Sequence, residues 1–196
     1  MEERKLVDFV QFTTGINQTR VENKFCNKKI SFYGQSDLEH DIVQQVESND
    51  ESRYVPGFPE FSLQVGDVVI NNATQQASIV GQKNAGKVIS LNFTKVVFKD
   101  KKLDRNYFVY LFNSYNDLQR QKERESQGNG RILRITRKAL GQLIIPVVPL
   151  DEQKKIGLAY IKTLELQKKM DQYTSLLKTM SDTVLTNSIK GEQKNE

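Results

Sequence analysis

The amino-acid sequence predicts an α+β protein: a mainly β domain with a few short helices, followed by one long C-terminal coiled-coil helix. Three observations predict it. Residues 63–99 are rich in β-branched and aromatic side chains, punctuated by glycines and polar turns, which is the signature of strands. Residues 107–118 place Tyr107, Phe108, Leu111, Phe112, Tyr115 and Leu118 at three- and four-residue intervals, the spacing of one helix face. After Pro149 there is no proline, and an apolar seven-residue repeat begins. The boundaries that follow are a domain at 1–149, a long helix at 150–190 and a disordered tail at 191–196.

Taken in order, "LQVGDVVI" reads as a strand that ends in the polar loop "NNATQQAS". Next comes "GQKNAGKV", in which Gly81, Gly86 and Lys87 have the spacing of a phosphate-binding loop. Such a loop needs a hydroxyl after the lysine and a helix to follow. Val88 occupies the hydroxyl position, and "VISLNFTKVVFKD" continues as strand, so the glycines read as hairpin punctuation with Lys83 and Lys87 exposed at its tip. A helix is expected over 103–127, broken by "SQGNGR". "RILRIT" then reads as a strand, and "LIIPVVPL" as an extended segment restrained by Pro146 and Pro149.

From there Ile156, Ala159, Thr163, Leu166, Met170, Tyr173, Leu177, Met180, Val184 and Asn187 alternate gaps of three and four. This is an a/d seam of more than four heptads, on a helix roughly 60 Å long at ~1.5 Å per residue. A seam of that length needs another long helix against it, which predicts self-association or a partner helix. A surface helix folded back on the domain is the alternative.

Composition narrows the function classes. At 196 residues the chain holds one domain and an appendage. No apolar run approaches the ~20 residues that span a bilayer, and the charged start "MEERKLVDF" lacks a signal-peptide core. A cytoplasmic protein with no membrane partner is expected. One cysteine, Cys26, and one histidine, His40, leave no internal disulfide and no structural zinc site to build. No cofactor or metal is expected. The net charge is +5, unevenly spread: residues 83–138 carry 14 Lys or Arg against 5 Asp or Glu, whereas residues 35–60 carry seven acids and only Arg53. A basic face is the footprint of a nucleic-acid binder, although solvated basic helices share it. Lys83, Lys87, Arg120 and Arg124 are the candidate phosphate contacts. Asn72, Gln75, Gln76, Asn129 and Arg131 are the candidate base readers, because amide and guanidinium groups pair bidentately with base edges.

The stretches "LQVGDVVI", "LDRNYFVYLFNS", "GNGRILRITRKALGQLIIPVVPLDEQKKIG" and "YTSLLKTMSDTVLTNSI" occur in an order that resembles half of a specificity subunit of a type I restriction-modification system. The proline junction with Glu152, Gln153 and Ile156 is the most specific part. Before Phe61 only "VDFVQFTTGINQTRV" matches, and Arg20, Lys24 and Arg53 lie in that divergent region. The resemblance implies a target-recognition domain over 1–149 that binds double-stranded DNA and performs no chemistry. It also implies partnership with a methyltransferase subunit and, through it, a restriction subunit. Such subunits usually carry two recognition domains and two long helices paired antiparallel, whereas this chain has one of each. A homodimer through Ile156, Leu166, Met170, Tyr173, Leu177, Met180 and Val184 is the simplest repair, and it would read a bipartite site. Two other readings stay open. One is a truncated interaction or decoy protein that joins specificity or methyltransferase subunits through its helix without reading DNA. The other is a nuclease built on Asp8, Glu22 and Lys24.

Overall fold

The computed structural model describes residues 2–19, 30–42, 60–125 and 135–192, and the chain divides into two compact units, Met1–Ile161 and Lys162–Glu196. In chain order the elements are β1 (Glu2–Lys5), α1 (Leu6–Phe9), β2 (Val10–Thr14), β3 (Phe32–Tyr33), α2 (Gln35–Ile42), β4 (Val68–Asn71), β5 (Ala77–Ile79), β6 (Val88–Ile89), β7 (Phe93–Phe98), α3 (Arg105–Ser114), α4 (Asn116–Glu125), α5 (Arg137–Gln142), β8 (Ile144–Val147) and α6 (Leu150–Glu192). The protein is thus α+β, with one long helix after a β-rich domain.

The first unit is organised by an antiparallel sheet in the order β2-β7-β4-β5. Successive strand residues face opposite sides, and here both sides are covered. Val68 and Ile70 point into one core, with Leu6, Val96, Phe108, Phe112, Leu118 and Leu140. Val69 points into a second, with Tyr33, Leu38, Leu63, Ile89 and Phe93. Burial on both faces is why β4 reads as an unbroken apolar run. Its start is set by "GD": Gly66 has φ +83°, where a side chain is disfavoured. The next residue, Asp67, accepts from the Gln64 N–H at 2.8 Å and pairs with Lys95 at 2.5 Å.

Two expectations are corrected. The 81–88 segment is not a hairpin, because β5 pairs with β4 while β6 runs parallel to β3. A one-turn 3-10 helix at Gln82–Asn84 makes the change of direction, and strand β6, not an α-helix, follows Lys87 directly. The helix expected over 103–127 is two helices. Asp104 caps the first by accepting from the Tyr107 N–H at 3.0 Å, and the chain turns extended at Tyr115 (φ −73°, ψ 117°) before α4 begins. The break orphans the Phe112 carbonyl, which takes Gln119 Nε2 at 2.8 Å and Lys122 Nζ at 2.7 Å instead. The expected strand at "RILRIT" lies outside the described residues up to 134.

"LIIPVVPL" supplies β8, paired antiparallel with β1. The other edge of Ile144 is closed by the Gln121 amide, which donates to its carbonyl at 2.9 Å and accepts from its N–H at 2.7 Å. Helix α6 then starts on the Pro149 carbonyl, which accepts from Glu152 and Gln153 N–H. Gln153 is 1% exposed, and all its polar atoms are occupied. It accepts from the Asp104 N–H at 2.9 Å and donates to the Lys102 and Val148 carbonyls at 3.0 and 2.8 Å. One turn on, Gly157 crosses α3 so closely that a Cβ there would lie 2.6 Å from the Tyr107 nitrogen. Ile156 packs half-buried against the first core, so its expected place on an open seam is corrected. The helix reaches Glu192, and the rest of the tail expected at 191–196 lies outside the described residues.

Candidate nucleic-acid interface

The candidate residues fall in separate places. Asn72, Gln75 and Gln76 sit on the turn between β4 and β5, Lys83 and Lys87 beyond the far end of β5, and Arg120 and Arg124 on α4. Asn129 and Arg131 lie outside the described residues, as do Arg20, Glu22, Lys24, Cys26 and Arg53.

The β4–β5 turn is rigidly built. Asn71 Oδ1 accepts from the Ala73 and Thr74 N–H groups at 2.7 and 3.1 Å, and its Nδ2 donates to Gln35 Oε1 at 2.6 Å. Asn72 Nδ2 donates to the Leu91 carbonyl at 3.0 Å, while the Thr94 hydroxyl donates to Asn72 Oδ1 at 2.8 Å. Gln75 Nε2 donates to the Asn72 carbonyl at 2.9 Å. The amides of Asn72 and Gln75, which composition marked as readers, therefore fasten the turn to itself and to its neighbours. Gln76 and Thr74 are exposed.

The helices hold the same turn from beneath. Asn113 Nδ2 donates to the Ala77 carbonyl, and its Oδ1 accepts from the Ala77 N–H, each at 2.8 Å. Lys122, 5% exposed, donates to the Gln75 carbonyl at 3.1 Å and the Phe112 carbonyl at 2.7 Å. Its ammonium stands 4.3 Å from the centre of the Phe112 ring. Burial lowers its pKa to about 8, while the carbonyl end of α3 and the ring face favour the charged form. Sequence reasoning missed Asn113 and Lys122. Lys122 lies in "RQKERE", where a lysine reads as solvated, and only the break at Tyr115 turns it inward.

The cations differ in freedom. Lys83 is exposed, whereas Lys87 is half-buried and paired with Asp37 at 2.7 Å, which corrects its expected place at an exposed tip. Lys95 is held by Asp67. Arg120 and Arg124 are exposed and line a groove of about 500 Å³ that also holds Glu3, Asp117 and Glu125, and Arg120 lies 3.5 Å from Asp117. With three acids beside two arginines, the groove is not a purely basic track. Asp8 is exposed and paired with Arg4 at 3.0 Å. Among the described residues no group of three or more His, Cys, Asp or Glu converges as a metal site, and no helix is long and apolar enough to cross a membrane.

In the second unit the seam is open. Leu166, Met170, Tyr173, Leu177, Met180 and Val184 are each 49–63% exposed, and Leu176, Leu185 and Ile189 join them. Patches of this kind mark protein contact surfaces.

The structure thus combines a buttressed polar turn on an α+β domain with a long helix whose apolar residues are exposed. Residues 1–174 match the family model of the type I restriction modification DNA specificity domain, and the chain belongs to that family. Two solved structures share its fold. One is a chain from a study of complex assembly and conformational transition of the type I R-M system, with TM-score 0.59 and 18% identity over 91% of this chain and 43% of that one. The other is the HsdS subunit of Thermoanaerobacter tengcongensis, with TM-score 0.54 and 19% identity over 85% of this chain and 37% of that one. The chain spans less than half the length of either. No curated protein matches it in sequence.

Proposed function

We propose that the chain is the DNA-reading half of a type I specificity assembly. The domain over 1–149 reads one half-site, and the helix over 150–190 pairs with the same helix of a second copy, so that two inverted half-sites are read at a fixed spacing. The assembly directs a methyltransferase subunit, and through it a restriction subunit, to that bipartite site, and the chain itself performs no chemistry. The observation that carries this reading is the family match over residues 1–174, joined to the exposed apolar side chains of the second unit's helix. Exposed Lys83, Arg120 and Arg124 are the proposed phosphate contacts, with Asn129 and Arg131 as proposed base readers. Sequencing the methylated bases of cells with and without the gene tests it. Loss of methylation at one two-part motif supports the reading, and an unchanged methylation pattern contradicts it.

A further inference from the structure

Two costly features meet at one residue. Gln75 is the sole non-glycine with positive φ, +53°, among the described residues, and its Oε1 is buried without a hydrogen-bond partner among them. Backbone strain and unsatisfied polar atoms persist only where the surroundings impose them, and they concentrate at functional sites. Lys122 holds the backbone here, its buried ammonium binding the Gln75 carbonyl and the broken end of α3 together, while the Gln75 side chain is held by its own Nε2 bond to the Asn72 carbonyl. Asn113 brackets the next strand residue on both its N–H and carbonyl. With Asn72 and Gln75 turned inward, the long amide that this frame leaves at the surface is Gln76, at the closing position where the Asn71 N–H donates to the Gln76 carbonyl at 2.9 Å.

We propose that Gln76 is the specificity-determining residue of this turn, reading an A·T pair through a bidentate amide contact, and that Lys122 is its positioning residue. A glutamine amide matches the N6 and N7 edge of adenine in both donor and acceptor. Held on a fixed turn, it discriminates through geometry that a mobile side chain would lose to ordering entropy. The proposal rests on the DNA-reading function above and adds which atoms read and what holds them.

The test selects duplexes from a random-sequence pool with the full chain, in the presence of the methyltransferase subunit of its own system, for wild type, Gln76→Ala and Lys122→Met. The expected result is that wild type enriches a motif containing an A·T pair. Gln76→Ala loses preference at that pair by on the order of 10-fold. Lys122→Met loses it at the same pair, while the other positions and affinity for unselected duplex stay unchanged. That coincidence of position is what a merely structural lysine would not give. The proposal is overturned if either variant returns the wild-type motif, or if Lys122→Met flattens every position together. Should Lys122→Met fail to fold by thermal melting, Asn113→Asp, which keeps the acceptor for Ala77 and removes the donor, takes its place under the same criterion. Unfolding of both variants marks the pair as core residues and also overturns the proposal. A wild-type chain that enriches nothing overturns the DNA-reading function itself.

Discussion

At the scale of single residues, two side chains that look like surface residues in the sequence hold the domain together. Gln153 belongs to the motif that carried the family resemblance, and the structure gives that motif a physical meaning: one amide joins the start of α6 to the loops before α3 and after β8. Gln153→Ala leaves an N–H and two carbonyls without that partner, at about 1–3 kcal/mol for each group that stays unsatisfied. A loss of about 2–4 kcal/mol in denaturant unfolding is expected, and a change under 0.5 kcal/mol would contradict the clamp. Lys122 predicts a pH effect. Its pKa falls from 10.5 to about 8 on folding, so between those values the unfolded chain binds more protons and stability rises with pH. Wild type should therefore gain stability relative to Lys122→Met between pH 8 and 10.5, as read by melts across that range, and parallel curves would count against the burial. Neither role shows in the sequence, because a residue code carries polarity but not the direction a side chain takes after a helix breaks.

At the scale of elements, what was legible followed periodicity, and what was missed followed pairing across distance. The seven-residue repeat after Pro149 fixed the long helix, and "GD" marked the start of β4, because both depend on local geometry. The apolar stripe of 107–118 continues through Tyr115 in register, so nothing in the spacing announces that the chain turns extended there. Likewise the partner of β6 is Phe32–Tyr33, 56 residues earlier and parallel, so reading two adjacent strand-like runs as a hairpin failed. Gly157 belongs with the legible features only in hindsight: a glycine in a helix costs about 1 kcal/mol relative to alanine, and the close crossing on α3 explains its presence. Gly157→Ala should therefore destabilise the domain by about 1–3 kcal/mol through overpacking, despite the better helix propensity. A thermal melt that rises in the variant would contradict the crossing.

At the scale of the whole molecule, the open apolar face of residues 166–184 asks for a second helix, and the family to which the chain belongs supplies the context of DNA specificity. Each seam leucine that is fully buried contributes about 1.5–3 kcal/mol, so changing Leu166 and Leu177 together to Lys, in both copies at once, should abolish self-association. Sedimentation should show a wild-type dimer and a monomeric double variant. A wild type that is monomeric both alone and with the methyltransferase subunit present would contradict the seam. The family was legible because its motifs stand in order along the chain; the positions that touch bases were not, because the same amides serve equally to fasten a turn. The most direct measurement is the arrangement of the motif that the wild-type chain enriches from random duplexes. Two inverted copies of one half-site at a single spacing are predicted. A single half-site with no fixed partner, or no enrichment at all, would contradict the reading of this chain as one half of a two-fold DNA reader.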